Sequence, residues 1–402
     1  MAQPQHAQVV KLAPMLIDAT PLQSEHRLRG VGAYLRALIR ALEAELTNTP
    51  KPPQYLLTWQ PQQKLLPVLE SVNIPLERTI LLPRPHRPAQ VYWLYNEVTL
   101  RYALLRTRPD VLFAPDFNGL VVNPFGSTVA VLHDLTELKL QLEANRPSGT
   151  SLSEKLSTLR WQAYYRKLRA AKHIITISES VKQDAARLLN LPAERLHVVY
   201  HGLDQTRYYP VDSGEYADHP PYFVNIGGRN DNKNQVNIIE GFASMAVEHP
   251  DVQLYFAGPW HQTDLDWLEQ QAATHNLTGR IRHLGYVPDE SMTSLYSHAL
   301  GFVFPSLEEG FGLPVLEAMA CGAPVITSNR SSLPEVAGDA GLLVNPQNPD
   351  EIANAMRQLA GDENLRHTLR DKGIARAKTF TWQRTAQETL EVIYQAQQGT
   401  SS

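Results

Sequence analysis

The stretch from Phe304 to Val325, FPSLEEGFGLPVLEAMACGAPV, constrains the fold of this chain most. A short apolar run, Gly301-Phe302-Val303-Phe304, stops at Pro305-Ser306, and a loop carrying Glu308, Glu309, Gly310 and Gly312 follows. Pro314 stands where a helix would begin and Cys321-Gly322 where it would end. Pro at the start and Gly just past the finish is the usual asymmetry of a helix. The order is therefore strand, glycine loop, helix. Backbone N–H groups at such a helix start favour an anion such as phosphate, and Gly310 and Gly312 let a ligand approach the backbone closely. Glu309 in the loop and Glu317 just inside the helix can face one crevice, where carboxylates accept hydrogen bonds from hydroxyls. Like charge keeps the pair off the phosphates themselves. The residues point to a diphosphate held by backbone dipoles with hydroxyl-rich groups on either side; two solvated glutamates on an ordinary loop are the alternative.

The same strand–turn–helix order recurs along the chain. Met15-Leu16-Ile17-Asp18 leads through a polar loop to Gly30 and Gly32, and Tyr34, Leu35, Leu38, Ile39 and Leu42 then follow at helical spacing. A phosphate suits that glycine turn, and so does a tight turn with no ligand. Val129–Leu132 is an apolar strand ending at His133-Asp134, and ligands in open parallel sheets sit beyond the carboxyl ends of strands. Tyr222–Ile226 runs into Gly227-Gly228-Arg229 and on to Lys233-Asn234 before a helix from Val236 to Ala243. A lysine there would stabilise the negative charge of a departing diphosphate. Strands alternate with helices throughout, so the expected class is α/β, with two doubly wound parallel sheets. Short strands at Tyr55–Thr58 and Thr79–Leu82, a polar loop over 139–160, a linker over 210–221 and two helices near 349–360 and 364–377 complete the reading.

Composition narrows the class. The chain has 402 residues, 43% hydrophobic and 19% charged, the balance of a globular protein of two domains. No apolar run reaches the roughly 18 residues of a membrane-spanning helix, and no signal peptide is read at the start. A single cysteine, Cys321, excludes an intrachain disulfide and a cysteine-based zinc site, which fits a reducing cytoplasm. The net charge of −4 is unevenly spread: residues 1–205 hold 24 Lys and Arg against 17 Asp and Glu, and residues 206–402 hold 13 against 24. A basic first half suggests an anionic or membrane-borne partner for it, with scatter between two similar lobes as the alternative. The basic and aromatic run Trp161–Arg169 fits a membrane-surface helix or, more simply, a core helix with a solvated face. No nucleic-acid motif is present.

Glu309 followed eight positions later by Glu317, around GFGLPVLEAMACGAPV, resembles the E-x7-E signature of retaining glycosyltransferase family 4. RGVGAYLRALIRAL, VAVLHDLTEL, TISESVKQDAARLLNLPAERLHVVYHGLD and the Lys233-Asn234 turn resemble further segments of that family in the same order. The resemblance implies a GT-B fold, divided here as 1–209, 210–380 and a last helix over 381–402 that crosses back to the first lobe. It implies sugar transfer from a nucleoside diphosphate donor to a saccharide or lipid-linked acceptor, with retained configuration and no metal or other cofactor. It assigns His133, Lys233 and Glu309 to catalysis. Donor binding falls to Gly30, Gly32, Arg229, Lys233, Val287, Glu309, Gly310, Phe311, Gly312, Leu313 and Glu317, with Val287 beside the base. Arg229 stands one place nearer to Lys233 than in the commonest form of the motif. HDL together with YHGLD is similar to mannosyl- and rhamnosyltransferases of surface polysaccharide assembly, which makes GDP-mannose the first donor to consider and the cytoplasm, at the inner membrane face, the expected location. A sugar-nucleotide epimerase or a pyridoxal phosphorylase on the same fold would need extra cleft carboxylates or a cofactor lysine and a longer chain. A non-catalytic nucleotide-sugar sensor could dispense with Lys233 or His133, and both are present.

Overall fold

A computed structural model describes residues 15–23, 30–47, 49, 51–58, 62–82, 92–116, 120–136, 138–139 and 152–399. The expected acceptor-side loop at Asn145–Gly149 lies outside them. The chain divides into two units: one holds 1–177, 182–200 and 382–402, the other 178–181 and 201–381.

The first unit is built on seven parallel strands: β1 (Met15–Asp18), β2 (Gln54–Thr58), β3 (Thr79–Leu82), β4 (Val111–Ala114), β5 (Ser127–Leu132), β6 (His173–Thr176) and β7 (Leu196–Val198). They lie in the order β3-β2-β1-β4-β5-β6-β7. Every residue of β1, β4 and β5 is buried, which is why these strands read as continuous apolar runs and not as alternation. The unit's helices are α1 (Gly30–Glu45), α2 (Gln62–Glu70), α3 (Tyr92–Thr107), α4 (Leu152–Ala170) and α5 (Glu179–Leu189). Two of them correct the sequence reading. Between Thr58 and Thr79 the chain forms α2 despite Pro67, with Leu65 and Leu69 buried one turn apart. The loop expected over 139–160 gives way at Leu152 to α4, which runs without a break through Trp161 to Ala170.

The second unit carries six parallel strands: β8 (Tyr222–Ile226), β9 (Gln253–Ala257), β10 (Ile281–His283), β11 (Gly301–Phe304), β12 (Val325–Ser328) and β13 (Gly341–Val344), in the order β10-β9-β8-β11-β12-β13. Its helices are α6 (Gln235–Ala246), α7 (Gln262–Thr274), α8 (Asp289–Ser297), α9 (Leu313–Ala320), α10 (Leu333–Ala337), α11 (Pro349–Gly361) and α12 (Glu363–Ala377). The last helix, α13 (Trp382–Gln398), belongs to the first unit, where Ser127 Oγ donates to the Ala396 carbonyl at 2.8 Å.

In both sheets the chain steps outward from a central strand and then returns to its other side. The strand order therefore reverses between β1 and β4 in one unit and between β8 and β11 in the other. Such a reversal opens a crevice beyond the carboxyl ends of the two strands. His201–Tyr209 packs with the second unit, whereas the sequence reading placed it in the first. The stretch over 210–221 is no free linker. The Val211 N–H donates to Ser297 Oγ at 3.1 Å and the Tyr216 N–H to Ser294 Oγ at 3.2 Å, and Tyr216 is buried against Tyr222.

Candidate active site

At the second unit's reversal, the turn after β8 is stitched to the loop after β11. The Asn232 carbonyl accepts from the Leu307 N–H at 2.9 Å, and the Asn232 side-chain amide donates to the Glu308 carbonyl. Asn234 takes a left-handed conformation (φ 61°), and its amide donates to the Pro305 carbonyl at 3.0 Å. Lys233, between these two asparagines, places Nζ 2.7 Å from Glu309 Oε1 and 4.6 Å from the centre of the Phe304 ring. Its stem lies over Gly227, where a side chain would meet the lysine at 3.6 Å. Both members of the ion pair are mostly buried, with 20% and 15% of their side chains exposed. Lys233 and Glu309, lysine and carboxylate far apart in sequence, are thus fixed as one unit at the strand ends.

The loop from Glu309 to Leu313, which includes Gly310 and Phe311, is held from the α10 side. The hydroxyls of Ser331 and Ser332 donate to the Glu309 carbonyl at 2.6 and 3.0 Å, and Ser332 also reaches the Phe311 carbonyl at 2.6 Å. Gly312 adopts φ 115° with the Leu333 side chain 2.7 Å from where a Cβ would stand, so only glycine fits before α9. Glu317, in the second turn of α9, has partners of its own. Tyr296 donates to its Oε2 at 3.3 Å, and the Tyr208 hydroxyl also bonds to it. Burial pushes the Glu317 carboxyl above the ordinary carboxylate range, against the lowering effect of Tyr208, Arg207 and Tyr296. Neither tyrosine was singled out from the sequence. Tyr208 follows the HGLD segment by four places but carries no motif, and Tyr296 lies within a helix.

Arg229 is engaged elsewhere, with Nη1 3.1 Å from Asp264 and its guanidinium stacked 4.2 Å from the Trp267 ring. Val287 is buried between exposed Tyr286 and Pro288, the residue that precedes α8. Beside this turn lies an open cavity of about 740 Å³, lined by Arg207, Tyr209, Tyr286 and Asp289 among others, and an Arg207–Asp289 ion pair crosses it.

In the first unit, Gly30 begins α1 with φ 53°, and Gly32 is buried two residues further on. His133, just past β5, bonds through Nε2 to the Pro115 carbonyl at 2.9 Å, which fixes the Nε2–H tautomer because a carbonyl only accepts. The Tyr34 ring packs edge-on against it at 5.0 Å. Burial lowers its pKa, so the neutral ring is favoured. Asp18, at the end of β1, was missed. It is fully buried, with Oδ1 accepting from the Thr20 N–H and hydroxyl at 3.0 and 2.7 Å and Oδ2 without a partner among the described residues. Burial pushes its pKa up to about 6. A polar residue closing an apolar strand at the sheet reversal was the available signal.

Comparison with known proteins bears on the family and the fold. A model described as Glycosyltransferase Family 4 matches residues 28–207, and one described as Glycosyl transferases group 1 matches residues 212–376. O-antigen chain mannosyltransferase B of Escherichia coli is 35% identical over 240 residues, 57% of this chain and 62% of that protein. The serotype-specific mannosyltransferase WbdA of Escherichia coli is 27% identical over 411 residues, 94% of this chain and 47% of that protein. The chain thus spans less than two thirds of either relative. Among solved structures, sucrose-phosphate synthase from Thermosynechococcus elongatus superposes with a TM-score of 0.71 at 21% identity, over 96% of this chain and 99% of that one. Anabaena HepE in complex with UDP and glucose gives 0.69 at 18% identity, over 96% and 100%. At such identities the likeness shows the fold, which is GT-B.

Proposed function

Since the chain belongs to glycosyltransferase family 4, we propose that it transfers a hexosyl group from a nucleoside diphosphate sugar to an acceptor hydroxyl. The group is mannosyl and the donor GDP-mannose, in the assembly of a surface polysaccharide or glycolipid; the mannosyltransferase relatives support this choice. One observation carries the reading: Lys233 and Glu309 are locked together at the sheet reversal, beside a glycine loop that opens a helix. When a donor binds, its diphosphate offers Lys233 a stronger anionic partner than Glu309 does. The ammonium then stabilises the leaving group's charge without a metal ion, and Glu309 turns to the hydroxyls of the sugar. Glu317 takes the ribose and Val287 borders the base, and the family resemblance gives His133 to the transferred sugar.

Bond changes follow from these roles. The acceptor oxygen forms a bond to the anomeric carbon as the bond from that carbon to the diphosphate oxygen breaks, and the departing oxygen takes the acceptor's proton. Neither glutamate is poised as a covalent nucleophile, since Glu309 is taken up by the sugar's hydroxyls once the donor engages Lys233, and Glu317 is held by two tyrosines. That favours same-face displacement and therefore retention. Lys233→Ala is expected to lower turnover by about 10²–10³-fold, the usual effect of removing one donor to a developing anion. It should also weaken the thermal stabilisation that GDP gives the intact chain. Unchanged turnover in a folded variant would make Lys233 a structural residue and remove the basis of the reading.

A further inference from the structure

Helix α3 buries Thr99, Leu100, Ala103 and Leu104 and turns a second apolar face outward. Val98, Tyr102 and Leu105 are 68%, 55% and 59% exposed. At 3.6 residues per turn these three lie within about 60° of one another. Arg101 and Arg106 fall about 40° beyond the two edges of that stripe, one on each side. Isolated exposed apolar residues need no explanation, but a stripe two turns long on one helix does.

The patch continues past the end of the helix. Arg108 lies 5.4 Å over the ring of Phe125, which is 39% exposed. Its charge is one-sided. The acid Glu97 is occupied by both Lys167, at 2.7 Å, and Arg101, at 3.0 Å. Arg106 and Arg108 have no carboxylate partner among the described residues.

We propose that this face of α3 is a peripheral docking surface for an anionic lipid bilayer. Apolar side chains flanked on both sides by long cationic ones match the boundary between acyl chains and anionic headgroups. The stripe enters the acyl region while the guanidinium groups reach back to lipid phosphates. Tyr102 carries a hydroxyl on an apolar ring, the residue type that favours that depth. A second copy fits this face poorly, because a two-fold contact would set arginines against the arginines of its mate. The surface differs from the one the sequence offered: in α4, Tyr164 and Tyr165 are buried, Tyr165 stacked on Trp161 and Tyr164 edge-on to it, which turns these two rings to the core.

The inference does not depend on the donor or on the transfer reaction. In the test, the unsubstituted chain is floated with vesicles of phosphatidylcholine containing about 30 mol% phosphatidylglycerol. It should bind at about 0.05 M salt, release at about 0.5 M, and ignore pure phosphatidylcholine. Arg101→Gln and Arg106→Gln should each lower partitioning about fivefold. An environment-sensitive dye at Leu105→Cys should shift to the blue on anionic vesicles, while the same dye at Val247→Cys, 84% exposed in the other unit, should not. The native Cys321 is buried and does not compete for label. Failure of the unsubstituted chain to float, or an equal shift at both positions, overturns the proposal. So does a shift at position 105 that grows with protein concentration without vesicles, which would assign the face to another copy.

Discussion

Glu309 and Glu317 are paired by spacing and separated by environment. Glu309 answers to a lysine at 2.7 Å, whereas Glu317 is half-buried beneath two tyrosine hydroxyls that help it stay charged against its burial. Their losses should differ accordingly. Glu317→Ala is expected to weaken GDP and GDP-mannose alike, because both carry the ribose. Glu309→Ala should leave GDP affinity nearly intact and lower turnover, since only the transferred sugar loses a partner in the transition state. Calorimetric titration of both variants beside a turnover assay decides this, and an equal fall in GDP affinity would reverse the assignment. Glu309 was legible because it stands in the glycine loop beyond an apolar strand, and Glu317 because it is the one charge within the apolar helix that follows. Tyr208 and Tyr296 were not legible, since a tyrosine's partner is set by tertiary packing and leaves no local pattern. Asp18 falls between: the sequence shows its place at a strand end but not the full burial that raises its pKa.

At the scale of elements, the parallel strands were readable because burial on both faces writes them as apolar runs. The packed stretch over 210–221 was not. Its Pro, Asp and Ser content is that of a linker, and what holds it are hydroxyls of α8 distant in sequence. The edge strand β7 carries a pH-sensitive contact of its own. His173 Nδ1 and His197 Nε2 lie 3.3 Å apart, one ring donating to the other, and the rings stack across β6 and β7. Burial lowers both pKa values, with Lys172 acting further on His173 and with His173 and Lys182 acting further on His197. The unfolded chain therefore binds protons more readily, so this contribution is complete above the unfolded value of about 6.5 and is lost as pH falls below it. Hydrogen exchange of the β7 amides should speed up as pH drops through that window, once corrected for intrinsic rates. His197→Gln should flatten the dependence; an unchanged slope would show that the pair does not govern the edge.

Across the whole molecule, one plan is used twice, and each sheet reverses its strand order around a central strand. The second unit is almost continuous in sequence, but the first is closed by a helix that follows the second in the chain. Helix α13 rests on α1 with Trp382 near Tyr34 at 6.0 Å, and Thr385 and Ala396 bond back to Tyr200 and Ser127 at 2.8 Å. On the ribosome, domains usually mature from the amino terminus onward. Here the order is inverted: the amino-terminal sheet waits, incomplete, while residues 201–381 can fold ahead of it. A nascent chain arrested before Trp382 should protect the β8–β12 amides from exchange and leave those of β5 and β6 open, whereas equal protection of both sheets would contradict this. Damage to α13 is thus felt by a sheet translated well before it.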